Sequence, residues 1–275
     1  MTPPRLLTIA GSDSGGGAGI QADLKTFEAH DVYGMSVITA VTAQNSAAVT
    51  AVEMVSPDVV RAQVRAIFDD FGVDAVKIGM LGTREIVEAV ADALDRYPPV
   101  PLVLDPVMVA KSGDSLLDDE AVEALCERLL PRTTLLTPNL PEAARLVGRS
   151  VETREERVSA ARELAERGAS AVLLKGGHGA QIGPDGEPTP EDPVVDWLFD
   201  GERLHRYAHE RIVTRSDHGT GCTLSSAIAA ELGSGTELEQ AVRLGLQYLE
   251  RALRKAVSLG RGRGPLNHSG RYRNT

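Results

Sequence analysis

Short apolar runs that stop at a glycine or polar turn, then give way to helical periodicity, constrain this chain more than any single motif. Residues 6–10, 75–81, 102–104, 134–136 and 171–175 read as strands. Their nearly uninterrupted Leu, Val, Ile and Ala content is that of strands buried on both faces. Helical periods occupy 20–30, 57–70, 83–95, 118–130, a short segment up to 147, 153–167, 219–232 and 237–257. Ser56 before Pro57 marks one start, as N-cap and first helical residue. Two further β-rich runs cover 35–43 and 51–55. Residues 196–199 and 203–207 flank an Asp200-Gly201 turn, the pattern of an antiparallel hairpin. Strands alternating with helices predict an α/β fold: a mainly parallel sheet covered on both faces, with the hairpin at its edge. No linker or repeat divides the chain, so one domain over 1–260 is expected, with a basic, flexible tail over 261–275.

Composition narrows the function classes. The 275 residues are 42% hydrophobic and 25% charged, with a net charge of −10. That charge argues against a nucleic-acid or anionic-membrane surface, although local dipoles and cations can still bind a phosphate. No apolar run reaches membrane-spanning length. Of the two cysteines, Cys126 sits in an apolar helical pattern and reads as a small core residue. Without a cysteine framework, reduced thiols and a cytoplasmic location are expected.

In open parallel sheets, ligands bind outside the carboxyl ends of the strands. The predicted strands end in Gly11-Ser12-Asp13, Gln44-Asn45, Gly79-Met80, Asp105-Pro106-Val107, Asn139-Leu140-Pro141-Glu142 and Lys175-Gly176-Gly177, joined by the turn His218-Gly219-Thr220-Gly221-Cys222-Thr223 that opens a helix. A glycine turn at a helix N-terminus is a ready anion site, because its backbone N–H groups are free and the helix dipole is positive there. Taken alone it is equally an ordinary turn before a buried helix. Residues 11–19 also form a glycine loop between strand and helix, but neither nucleotide template fits. The third glycine of G-x-G-x-x-G is replaced by Ile20, and the Lys25-Thr26 pair follows Leu24 inside the helix. Carboxylates, a lysine and an anion cradle at one edge are the parts phosphoryl transfer needs. His205 and His209 are four apart in a strand context, a spacing that does not make a metal pair.

The ordered marks Ala10-Gly11-Ser12-Asp13, residues 16–25, Thr42-Ala43-Gln44-Asn45, Lys77-Ile78-Gly79-Met80, Asp105-Pro106-Val107-Met108, Thr137-Pro138-Asn139, Lys175-Gly176-Gly177-His178 and 218–223 together resemble a known family. They are similar to the hydroxymethylpyrimidine and phosphomethylpyrimidine kinases of thiamine biosynthesis, within the ribokinase-like superfamily. The resemblance implies a three-layer α/β/α sandwich, ATP with Mg²⁺ (and a monovalent cation as an open question), a homodimer, and transfer of the ATP γ-phosphoryl to 4-amino-5-hydroxymethyl-2-methylpyrimidine and then to its monophosphate. It implies that Gly219, Thr220, Gly221 and Cys222 form the anion hole and that Lys175 neutralises nucleotide phosphates. Asn139, Thr214 and Gly219 would contact nucleotide, while Glu142, Asn139 and Asp105 would organise Mg²⁺. Gln44 would bond the aminopyrimidine, and Asp23, Gly11, Met80 and Val107 would shape the rest of its pocket. Sugar kinases of the superfamily carry Asp where Cys222 stands. Cys222 is therefore either the base for the substrate hydroxyl or a packing group. Asp217 departs from the family pattern Thr-x-Asn-Thr-His and sets a negative charge beside the phosphate turn. The turn 111–114 either covers substrate or is a plain loop, and 176–196 is either a variable surface loop or a flap over ATP. The alternatives are a pyridoxal-type kinase, whose substrate also presents a hydroxymethyl on a flat ring, and a non-catalytic pyrimidine-binding regulator.

Overall fold

A computed structural model describes residues 2–109, 116–178 and 193–269 of the chain. Its elements are β1 (Arg5–Ala10), α1 (Gly19–Ala29), β2 (Tyr33–Ile38), β3 (Ala40–Gln44), β4 (Val49–Met54), α2 (Pro57–Asp70), β5 (Ala75–Ile78), α3 (Arg84–Leu94), β6 (Leu102–Leu104), α4 (Asp119–Arg128), β7 (Leu135–Leu136), α5 (Leu140–Val147), α6 (Arg154–Glu166), β8 (Val172–Leu174), β9 (Val194–Phe199), β10 (Leu204–His209), α7 (Thr220–Gly233) and α8 (Leu238–Arg254). Eight strands form one sheet in the order β10-β9-β8-β7-β6-β5-β1-β2. The pairs from β2 through β8 are parallel, while β9 and β10 run antiparallel at the edge around the Asp200-Gly201 turn.

Alternation along the strands divides the interior into two cores. Leu7, Ile9, Val76, Ile78, Leu102 and Leu104 face the side covered by α2 to α6. Leu6, Ala75, Val103, Leu135 and Leu173 face α1, α7 and α8. This is the three-layer sandwich the sequence predicts. Cys126 is half-buried against the first core. Because β1 connects to β2 on one side and, later, to β5 on the other, the sheet reverses direction at β1. The crevice beyond its carboxyl end is where such folds bind ligands.

The structure corrects two sequence expectations. The β-rich run 35–43 is not one strand: it breaks at Thr39, whose amide and hydroxyl bond the carbonyls of Ala10 and Met80. Its second half becomes β3, which leaves the main sheet and pairs with β4 as a separate antiparallel ribbon. The tail is not frayed from Gly260 either. Leu266, Asn267 and His268 are buried, and the segment 260–268 is bonded along its length to other parts of the fold. Residues 270–275, with Arg271 and Arg273, lie outside the described residues, as do the 111–114 turn and most of the 176–196 loop, from 179 to 192. Among the described residues no helix is long and apolar enough to cross a membrane.

Candidate active site

The glycine loop after β1 is built around one carboxylate. Buried Asp13 accepts from the amides of Gly15, Gly17 and Ala18 at 2.8, 3.1 and 2.8 Å, and pairs with His218 Nε2 at 2.8 Å. Burial works against its charge, but the His218 contact and these amides hold the Asp13 carboxyl below its ordinary range. His218 Nε2 also lies 3.5 Å from Gln44 Nε2. The carboxamide expected to read the pyrimidine therefore stands one residue from the anion turn. Gly219, in the left-handed region at φ 86°, is the N-cap of α7. A Cβ there would meet the Gly17 carbonyl oxygen at 1.8 Å, so the two glycine turns touch back to back. Asp13 and His218 were quoted in the sequence motifs without a role. An Asp inside a glycine-rich loop is the signal that could have marked the first of them.

Next to this turn lies a charged cluster. Lys175 Nζ donates to Asp105 Oδ1 at 2.7 Å. A Cβ on Gly221 would lie 3.2 Å from that Nζ and 3.4 Å from Asp105 Oδ2, which sets both groups against the first turn of α7. Burial pulls the Lys175 ammonium down, yet the charges of Asp105 and Glu142 together raise it, so it stays a cation. Glu142 closes a capping box with Asn139: the Asn139 amide donates to its carboxylate at 2.7 Å, and its own amide donates to Asn139 Oδ1 at 2.9 Å. Burial, helped by the charge of Asp105 and opposed by Lys175, pushes the Glu142 carboxyl up to about 7. The capping box engages Asn139 Oδ1 with one bond, which leaves its second lone pair and its amide nitrogen to offer a ligand or water.

The structure corrects the reading of Asp23. It has no exposed surface, and its oxygens accept from Lys77 Nζ at 2.9 Å, Thr8 Oγ1 at 2.6 Å and Ser226 Oγ at 2.7 Å. It forms a buried ion pair beneath the site, where Lys77 is raised despite burial by Asp23, with smaller help from Cys222 and Asp105. Gly11, Met80 and Val107 follow the carboxyl ends of β1, β5 and β6. The Gly11 amide bonds the Met80 carbonyl at 3.2 Å, and Val107 folds back on the Asp105 carbonyl at 2.8 Å. Cys222, in the first turn of α7, is half-buried. Burial pushes its thiol up to about 11 against the pull of Lys77, and a contact from the Gly19 amide lowers it only slightly. Burial thus favours the protonated thiol over the thiolate. Thr214 accepts from the Ser216 amide at 3.0 Å in a local turn. Asp217 is met by Arg263 at 2.5 Å, which offsets the negative charge that departs from the family pattern. His205 pairs with Asp200, and His209 lies nearest Asp196, so the two histidines do not share a ligand. Among the described residues no group of three or more His, Cys, Asp or Glu side chains could hold a metal by itself.

The sequence profile of the phosphomethylpyrimidine kinases matches residues 13–267. The chain belongs to that family. It is 52% identical over 269 residues to the hydroxymethylpyrimidine/phosphomethylpyrimidine kinase of Rhizobium meliloti, covering 97% of each chain. It is 49% identical to the bifunctional thiamine biosynthesis protein ThiED of Geobacter sulfurreducens, covering 96% of this chain and 52% of that one. Among solved structures it is similar to a Bacillus subtilis pyridoxal kinase in complex with ADP, with a TM-score of 0.87, 37% identity and 98% of both chains covered. The fold is thus ribokinase-like and the protein is a kinase.

Proposed function

We propose that this kinase transfers the ATP γ-phosphoryl to the hydroxymethyl oxygen of 4-amino-5-hydroxymethyl-2-methylpyrimidine and then, with a second ATP, to a phosphate oxygen of the monophosphate. The observation that carries the reading is the contact of the two glycine turns. With Gln44 beside His218 and Gly219 against Gly17, a flat ring held by the carboxamide has its side chain at the N-terminus of α7. In each step the attacking oxygen bonds the γ-phosphorus as the bond to the bridging oxygen breaks and ADP leaves; in the first step the hydroxymethyl group releases its proton to water, and in the second the attacking phosphate oxygen is already ionised. The amides of 219–222 would take up charge that grows on the transferred group, with Lys175 beside them. Since the resting Cys222 is a thiol, it enters as a wall of the acceptor pocket rather than as a ready base.

Mg²⁺ fits the same corner. Burial first, and the charge of Asp105 after it, push the Glu142 carboxyl up to about 7 against the pull of Lys175, so a cation bound beside these two carboxylates would favour their charged forms. Glu142 and Asp105 are the groups that would hold the ion, jointly with nucleotide phosphates and water. When bound it supplies charge neutralisation at the β- and γ-phosphate oxygens. A homodimer in the cytoplasm belongs to the same reading, with light scattering on the purified chain as the test of the dimer.

The deciding experiment couples ATP consumption to the pyrimidine alcohol and identifies products by phosphorus NMR. Monophosphate followed by diphosphate supports the reading. A specificity constant for pyridoxal above that for the pyrimidine overturns it in favour of the pyridoxal-kinase alternative. Pyrimidine binding with no ATP consumption would leave a regulator.

A further inference from the structure

Residues 260–268 run as a strap from the end of α8 across both ends of the candidate site. At the acceptor end, the amides of Gly262 and Arg263 donate to Ser46 Oγ and Ser46 O at 3.1 and 2.8 Å, two residues from Gln44. Just before the α7 turn, the Gly264 amide donates to Arg215 O at 2.8 Å, the His218 amide donates to Gly264 O at 3.0 Å, and Arg263 pairs with Asp217. Pro265 and His218 form a β-bridge. The strap then dives inward: Tyr248 donates to His268 O at 2.6 Å, and His268 Nε2 lies 3.0 Å from Thr223 Oγ1. Both members of that last pair are buried, Thr223 completely.

Thr223 closes the first turn of α7, its amide donating to Gly219 O at 2.9 Å. Any shift of its side chain is carried to the four residues 219–222, whose free amides make up the anion turn. Burial drives the His268 ring down to about 4, so it is neutral and meets Thr223 as a plain hydrogen-bond partner. A neutral ring at that place adds no charge to the site. What it adds is position, and phosphoryl transfer is sensitive to displacements well below 1 Å.

We infer that the strap 260–268 positions the phosphoryl-binding turn, and that His268 is a positioning residue acting through Thr223. The inference rests on the kinase reading above. The test compares Thr223→Val, His268→Leu and His268→Gln with the wild type. Steady-state kinetics on the pyrimidine alcohol are read alongside circular dichroism and hydrogen exchange of the 218–224 segment. Thr223→Val keeps the shape of the buried side chain, so it reports even where His268→Leu does not fold. The expected result is a fall in kcat of about tenfold or more for Thr223→Val and His268→Leu, with KM for the pyrimidine within about threefold. Faster exchange at 218–224 should accompany it, and His268→Gln, whose amide can still bond the hydroxyl, should keep at least about a third of wild-type kcat. Folded Val and Leu variants with wild-type kcat and unchanged exchange overturn the inference, as does a Gln variant no better than Leu. An inactive wild type would instead count against the kinase reading, and the exchange data would still decide the role of the strap.

Discussion

A Cβ added to Gly219 would stand 1.8 Å from the Gly17 carbonyl oxygen, and the residue already occupies φ 86°. Both terms act on one substitution. Gly219→Ala is expected to cost about 2–4 kcal/mol of stability, from left-handed strain and the forced separation of the turns. It should lower kcat by at least about 100-fold through misplacement of the anion turn. Thermal unfolding and steady-state kinetics read the two separately. Cys222 yields a second expectation at this scale. With its thiol pushed up to about 11, only about one molecule in ten thousand carries the thiolate at about pH 7. Alkylation of Cys222 by iodoacetamide should therefore be slow at pH 7.5 and rise about tenfold per pH unit until about pH 11. A plateau near pH 8 would show that the dipole of α7 outweighs burial after all. These residue-scale facts were only partly legible beforehand. The motif order placed Gly219, Gln44, Lys175 and Asp105 at one edge, because strand ends converge there by topology. It could not show that Asp23 turns into the protein toward Lys77, Thr8 and Ser226, or that Asn139 caps α5. Side-chain direction and competition between partners are settled by three-dimensional packing, which spacing does not encode.

Among the elements, the strap and the β3–β4 ribbon were hardest to read. A run of Gly, Arg, Pro and Asn after the last helix has the composition of a loose end. Its partners include Ser46, Arg215, His218 and Tyr248, all distant in sequence, which the composition does not reveal. The ribbon does not show in the sequence because its residues alternate no differently from those of a main-sheet strand. The break at Thr39 comes from long-range bonds to Ala10 and Met80. The strap makes a stability prediction whose sign can be worked out. Burial lowers His268 to about 4 from an ordinary value near 6.5. Between those values the unfolded chain binds a proton that the folded chain does not, so stability rises with pH through the window. The contribution is fully present above pH 6.5 and is lost as pH falls through 4, to the extent of about 3 kcal/mol. The thermal midpoint of the wild type should thus fall between pH 6.5 and 4.5 more steeply than that of His268→Gln. Parallel curves would mean that the ring is accessible to protons in the native fold.

For the whole molecule, the alternation of buried strands and helices was enough to predict the layers, the parallel core of the sheet and the edge hairpin, because burial on both faces leaves few other arrangements. Net charge acts at the same scale and makes a last prediction. The chain carries −10 overall, yet its site must receive the triphosphate of ATP. On the proposed reading, the attraction would come from Lys175, the first turn of α7 and a bound metal, groups that act locally on the phosphates. The repulsion comes from the whole surface. Screening separates the two: the Debye length falls from about 30 Å at 0.01 M salt to about 8 Å at 0.15 M, which removes surface repulsion and leaves the buried contacts nearly intact. kcat/KM for ATP, measured at fixed free Mg²⁺, should therefore increase about threefold or more as ionic strength rises over that range, the reverse of the usual fall for a basic nucleotide-binding surface. Running the series in tetramethylammonium chloride and again in potassium chloride keeps the effect apart from a monovalent-cation requirement. A rise in both salts is screening, and a rise in potassium alone is a bound cation. A decrease in both would mean that the local field at the site, rather than the net charge, governs how the nucleotide arrives.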